Sequence, residues 1–444
     1  MKKEDVSTAA AKVLFYAYIL FLISVVFSFR AVTSISIGLI FLLSIAGNQK
    51  LTSPRRKRKS FVLFLMACIL LFFLQSISFL YTSNPGEQLT LLQRSSGLVF
   101  IPLAVFSSSQ LLTKEEFQKI IVGFTIILSL GSLYCLIATV VKFYSGAPSS
   151  IFFYHDLVKP LSQHAIQFSI LILIALLWLM ENPAQKSAFY PQQLSLFIVP
   201  FLSLFLVLLS SKLIISVYIL YLLYFFLHNR VYKARKWPLF IAFLVLTTIL
   251  VTTTNPVGNR FRVLVSGNVM LFEQQTFSPG IYFNGLQFRL LEWRFTFNIL
   301  TEQDAWLSGL TPGDAQSFLD RKYIQTHMYT GVPATAKHGF LGYHTHNQFL
   351  QSLLENGLPG LVIFILISYS LFLMTKQRRS RVLSWLVALL IIYSFTDAPF
   401  KTQYGIVIFT FFPCLLYEAA GIKETVSPLQ VARTMFAEST KQPH

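Results

Sequence analysis

Charge is what this sequence has least of. Asp, Glu, Lys and Arg together make up 12% of its 444 residues, against about a quarter in a soluble chain. Acids are the scarcer sign, 18 against 36 basic residues. A chain this poor in charge cannot dress itself in a solvated surface, which excludes an ordinary soluble fold. Cysteine is nearly absent as well. Cys68, Cys135 and Cys414 each sit inside an apolar run, a placement that serves packing and excludes a disulfide framework or a cysteine-based zinc site. Internal repeats and low-complexity tracts are missing. Inside the apolar runs carboxylates and histidines are nearly missing too, and these are what an ion- or proton-coupled transporter requires.

What fills the chain instead is hydrocarbon. Hydrophobic residues make up 54% of it, with 44 Phe. Apolar runs lie near 13–29, 31–47, 61–81, 97–112, 119–142, 165–180, 193–210, 213–227, 238–254, 358–374, 383–396 and 400–418. A helix rises about 1.5 Å per residue, so about twenty such residues cross roughly 30 Å of bilayer core. Lipid offers the backbone no hydrogen bonds, so these runs must be helices. The expected fold is all-α and polytopic, with about twelve transmembrane helices and one large outer loop. An N-terminal bundle of about nine spans occupies 1–254, the loop 255–346, and C-terminal helices 347–420. A polar cytoplasmic tail fills 421–444. No cleavable signal is expected, because the first apolar run is too long and lacks a small-residue cleavage site.

The formal charge of +18 is not spread as a nucleic-acid-binding surface would be. It concentrates in short loops: Lys50 with Arg55, Arg56, Lys57, Arg58 and Lys59; Arg230, Lys233, Arg235 and Lys236; Lys376, Arg378, Arg379 and Arg381. With the N-terminus in the cytoplasm, counting crossings puts all three loops inside, as the positive-inside rule demands. Contact with anionic membrane lipid accounts for the rest of their use. The same count puts 255–346 outside. Other outer segments are 82–96 and 143–164, the latter holding His155, Asp156, Lys159 and His164.

Candidate chemistry concentrates where the large loop meets the next apolar run, at Tyr343-His344-Thr345-His346-Asn347-Gln348. From Asn347 to Asn356, Phe349, Leu350, Leu353 and Leu354 form one helical stripe, and Asn347, Gln348, Gln351 and Glu355 the other. Gly357 and Pro359 break that pattern. The expectation is a short amphipathic helix at the outer surface, a kink, and then the crossing, with His346 at the helix N-terminus. Such a terminus favours bound anions and a neutral imidazole, which is a competent general base. The plainer alternative is that His346 or Asn347 only caps the helix. A metal is not expected, since no Cys and no nearby Asp or Glu completes a ligand set with His344, His346 and the neighbouring His338. Arg289 and Arg294, in Phe288-Arg-Leu-Leu-Glu-Trp-Arg294, offer planar forks for phosphate oxygens. Lys212 stands between two apolar runs, either for a purpose or as a lysine snorkelling from a tight outer turn.

These pieces together resemble the O-antigen ligase family, in particular its Bacteroidetes-like members. The resemblance is carried by Arg289-x3-Trp293, Gly309-Leu-Thr-Pro-Gly313-Asp314, Tyr323, and His346-Asn-Gln-Phe-Leu350-x4-Glu355-Asn-Gly357-Leu-Pro-Gly360, within about 285–375. It implies a GT-C-like glycosyltransferase of the bacterial inner membrane, with both termini cytoplasmic and the active site periplasmic. The donor would be an undecaprenyl-pyrophosphate-linked glycan and the acceptor lipid A–core, in lipopolysaccharide biosynthesis. The reaction would be inverting, without metal or other cofactor and without nucleic acid. The family's essential histidine corresponds to His346, one of its pyrophosphate-binding arginines to Arg289, and a second to Lys212, where lysine keeps the charge but loses the fork. His164 corresponds to a weaker histidine element. His344, Asn347, Glu355, Asp314 and Arg294 are candidates for supporting parts. Polymerases of the same superfamily, which join carrier-linked repeat units, form the first alternative. A flippase or transporter of lipid-linked sugars is the second.

Overall fold

The computed structural model describes residues 3–47, 58–182, 192–228, 269–332 and 339–420, with scattered positions between 238 and 262. Among the described residues every regular element is helical. In chain order they are α1 (Lys3–Val26), α2 (Arg30–Ala46), α3 (Lys59–Ile77), α4 (Pro85–Ser95), α5 (Gly97–Ser108), α6 (Lys114–Tyr144), α7 (Tyr154–Val158), α8 (Ala165–Glu181), α9 (Gln192–Leu208), α10 (Lys212–His228), α11 (Gly285–Glu302), α12 (Pro312–Gln325), α13 (Gln348–Arg378), α14 (Arg381–Ser394) and α15 (Gln403–Ala420). Each expected span coincides with a helix except 238–254, which lies largely outside the described residues. The expected tail over 421–444 and His338 also lie outside them.

Six helical stretches among the described residues are long and apolar enough to cross a membrane, and a seventh if α7 and α8, bent by 80° at their junction, act as one span. α2, α10, α14 and the apolar part of α9 are shorter. A 17-residue helix reaches only about 26 Å. The chain is therefore a multi-pass, all-α membrane protein. Its helices begin where local chemistry makes them begin. Thr113 and Glu116 form a reciprocal capping box at the start of α6, and Asn284 and Gln287 do the same for α11.

Among the described residues two cores hold the molecule together. The larger unites the apolar helices, and α15 lies at its centre with 89% of its apolar window buried. At one end of that core Glu418 of α15 sits 3.1 Å from Arg58 and 3.5 Å from Arg378, whose guanidinium lies over the Tyr417 ring. The smaller core belongs to the polar segment. Phe283, Phe288, Leu291, Phe295 and Ile299 of α11 and its approach meet Ala315, Leu319 and Tyr323 of α12, with Leu353 and Leu354 of α13 beneath. The segment is thus folded, and it is founded on the first turns of α13.

The expected kink in α13 is real, and Gly357 carries it. Its φ of 63° and ψ of −162° lie outside any helix, in a region that only glycine enters freely. The break frees backbone groups, and the loop before α12 takes them. Leu358 donates its N–H to the Trp306 carbonyl at 2.9 Å, and the Leu354 carbonyl accepts from Leu310 N–H at 2.9 Å. Gly309, also at positive φ, lies so close that a Cβ there would sit 2.4 Å from the Gly357 nitrogen. The other half of that motif binds elsewhere. Asp314 Oδ2 accepts from the Thr82 hydroxyl at 3.0 Å, the Ser83 N–H at 2.9 Å and the Thr311 hydroxyl at 2.8 Å, while Gly313 N–H donates to Gln88 at 2.7 Å. The Gly309–Asp314 stretch therefore clips the polar segment to the kink on one side and to α4 on the other.

Candidate active site

Asn347 caps α13. Its side-chain oxygen accepts from the Phe349 and Leu350 N–H groups at 2.9 and 3.2 Å, which satisfies donors the helix leaves open. Capping is thus the work of Asn347, and the His346 ring is left for other use. The residues before the cap are held tightly. Thr345 is fully buried, and its N–H donates to the Gln351 side-chain oxygen at 3.2 Å. His346 takes a positive φ of 44°. With Thr345 turned inward, the two histidine rings emerge together, centroids 4.5 Å apart. The His346 N–H donates to His344 Nδ1 at 3.1 Å.

The His346 ring meets α11. Its Nδ1 lies 2.8 Å from Glu292 Oε2 and 3.1 Å from Oε1. Glu292 is completely buried, while His346 keeps a fifth of its side chain exposed. Burial pushes the Glu292 carboxyl up to about 7, against the pull of the His346 hydrogen bond and charge. Burial works against the charged form of His346, but the Glu292 hydrogen bond and charge outweigh it and raise the pKa. Both shifts express one fact: the pair binds an added proton more tightly than a free imidazole does.

A second carboxylate closes the other side. Asp397, in the turn after α14, places Oδ1 3.7 Å from His344 Nε2. Oδ1 accepts from the Ala398 N–H at 2.8 Å, and Oδ2 from the Tyr393 hydroxyl at 2.7 Å. Burial and then the charge of His346 push His344 down to about 3. A neutral His344 fits its bonds, with Nδ1 accepting and Nε2 facing the carboxylate. Burial works against the charged form of Asp397, yet His344 and the Tyr393 hydroxyl hold its pKa below the usual carboxylate range. Arg289 joins this turn to α11. Its Nε donates to the Thr396 carbonyl at 2.9 Å and one Nη to the Gly285 carbonyl at 2.7 Å. Its charge acts on His346, His344 and Glu292 together.

Of the residues singled out in sequence, His346, His344 and Arg289 thus share one site. His164 stands at its edge: it precedes α8, its ring is 4.5 Å from His155, and its pKa is lowered by burial against the charge of Asp397. Glu355 lies two turns further along α13, joined to Lys401 at 2.9 Å and to Gln351 at 2.7 Å. Lys212 opens α10, which packs on α8 and α14, and belongs to neither element that bears the histidines or Arg289. Asp314 is engaged in docking to α4. Arg294 turns away, its guanidinium 5.2 Å from the Phe295 ring and bonded to the Gln274 carbonyl at 2.8 Å; two residues past Glu292 is about 200° around the helix. In sequence no carboxylate stood near these histidines, and the fold brings one to them. Asp397 supplies the missing carboxylate, and donor atoms of His344, His346 and Asp397 lie within 4.8 Å of one another.

Neither Glu292 nor Asp397 was anticipated. Glu292 had a signal, since it follows Arg289 by three residues and so shares its helix face. Asp397 had one as well, as an isolated acid between two apolar runs. No known protein-family model matches the chain, and no curated protein matches it.

Proposed function

We propose that this chain is a glycosyltransferase that moves a glycan from a lipid pyrophosphate carrier to a sugar hydroxyl, at the periplasmic face of a bacterial inner membrane. One observation carries the proposal. A partly exposed imidazole, an arginine and a second histidine converge at the head of a membrane helix, although they come from α11 and the turn before α13. The resemblance to the O-antigen ligase family at His346 and Arg289 names the substrate class. In this reading the shorter helices and 238–254 complete about twelve spans, and the polar segment faces the periplasm.

The chemistry is a direct displacement. His346 Nε2 takes the proton of the acceptor hydroxyl as its oxygen attacks the anomeric carbon from the face opposite the carrier. The bond from that carbon to the pyrophosphate oxygen breaks, its electron pair leaves with the pyrophosphate, and the configuration inverts. Pyrophosphate leaves easily when its developing charge is met. Arg289 is placed to meet it, with Lys212 as a further contributor at the outer end of α10. Replacement of His346 by Ala, in protein that reaches the membrane folded, should lower transfer from a carrier-linked donor by about 10²–10⁴. Full retained activity would end the proposal.

Lipid A–core is the acceptor in the preferred reading, and a second carrier-linked repeat unit in the polymerase reading. Deletion separates them: loss of a ligase leaves rough lipopolysaccharide and stranded carrier-linked polymer, and loss of a polymerase leaves core capped by single repeats. Activity of purified protein without an ion gradient would exclude the transporter. The His344–His346–Asp397 cluster favours one further reading, in which a divalent cation held there would neutralise the pyrophosphate. Loss of transfer on chelation, with return on adding a divalent metal, would establish that reading in place of the metal-independent one.

A further inference from the structure

Glu292 is the least explained group in the molecule. It is fully buried, on the helix that carries Phe288 and Phe295 into the polar segment's core and beside the Tyr323 hydroxyl. A carboxylate placed there loses several kcal/mol of hydration unless it is paired and hydrogen-bonded. Its partners are few. The Tyr323 hydroxyl is 3.4 Å from Oε1 but only 2.9 Å from the Tyr343 carbonyl, and a hydroxyl has one proton to give. The close donor is therefore His346. Packing alone would be better served by Gln, Leu or Met at this position. Three features point the carboxylate at the histidine: the capping box that starts α11, the positive φ of His346, and the clip that seats α11 and α12 on α13.

We infer that Glu292 is the positioning residue for His346: it fixes the proton on Nδ1, leaves the Nε2 lone pair facing the open site, and stabilises the imidazolium that forms when Nε2 accepts the acceptor's proton. The inference rests on the transferase reading for its catalytic meaning, and on geometry alone for the tautomer. No proton passes to Glu292 in the step. It remains the acceptor of the Nδ1–H bond throughout, and the buried negative charge makes the newly charged ring stable. This is the division of labour that the carboxylate of a Ser–His–Asp triad shows, where amide replacement costs about 10⁴ in rate with the geometry intact. Arg289 moderates the effect, since its charge opposes protonation of both members.

Glu292→Gln and Glu292→Asp in full-length protein in nanodiscs provide the test. Two readouts are needed: steady-state transfer from a synthetic undecaprenyl-pyrophosphate-linked glycan, and ¹⁵N NMR of histidine-labelled protein, with the His346 signal assigned by its loss in His346→Ala. Glu292→Gln should lower kcat by about a hundredfold or more while the donor KM stays within about twofold. The fixed Nδ1–H tautomer should give way to an exchanging mixture. Glu292→Asp, which keeps the charge, should recover at least tenfold of the loss. Two results would overturn the inference: Glu292→Gln with kcat within threefold of wild type, or with kcat, KM and melting temperature all falling and no rescue by Asp. If wild-type protein transfers no glycan, the functional proposal falls, and the tautomer measurement alone then decides the assignment. A His346 ring that is not Nδ1-protonated in wild type would overturn it.

Discussion

Replacing Gly357 by alanine should open the clip between the polar segment and α13 and leave the apolar bundle standing. The backbone at Gly357 lies where only glycine is at ease, and an alanine held there costs on the order of 1–3 kcal/mol. The added Cβ would also lie 2.1 Å from the Leu307 carbonyl oxygen and 2.8 Å from the Gly309 nitrogen. Both are backbone atoms and cannot swing aside as a side chain would. Relief requires the 305–310 loop to lift, which breaks the Leu358–Trp306 and Leu310–Leu354 hydrogen bonds at about 1 kcal/mol each. The sum, about 3–5 kcal/mol, lowers the docked fraction relative to the open one by more than about a hundredfold. Hydrogen exchange read by mass spectrometry should show the amides of 306–310 and 354–358 losing protection, while those of α15 keep theirs. Glycan transfer should fall with the docked population. Gly38→Ala in α2 is the control. Nothing lies within 4 Å of its added Cβ, and alanine in a helix is favoured by about 1 kcal/mol. Wild-type protection across both stretches in Gly357→Ala would refute the reasoning.

Asp314→Ala removes the acceptor shared by Thr82, Ser83 and Thr311, and should destabilise the polar segment by about 1–3 kcal/mol; limited proteolysis between α11 and α12 reads the effect, and Asp314→Asn should lose less. Glu418→Ala strands Arg58 and Arg378 near the core and should cost about 3–5 kcal/mol, seen as a lower melting temperature in detergent. Arg289→Lys keeps the charge but loses the fork that spans Thr396 and Gly285; donor KM should rise about tenfold, measured on a carrier-linked glycan, with a smaller change in melting temperature.

The helical class and the placement of most helices were legible because lipid leaves the backbone one solution, and hydropathy records it directly. The break at Gly357 was legible too, since Gly and Pro within three residues contradict a continuous helix. Its neighbour was not. That Leu354 and Leu358 bond to a loop some fifty residues earlier depends on two glycine backbones touching, and a single sequence gives no sign of which glycines meet. The site divided in the same way. His346, His344 and Arg289 stood out because polar groups are rare here. Glu292 and Asp397 did not, because a carboxylate acquires its meaning from what faces it, and those partners are 54 and 53 residues away.

The most buried membrane helix, α15, is also the last described in the chain. It packs against α5, α6, α8, α13 and α14. Asp397, Lys401 and the Thr396 carbonyl that receives Arg289 lie in the turn that leads into it. The pairing of Asp397 with His344 therefore leans on how α15 is seated, and a change deep in the bundle is felt at the site without touching any of its residues.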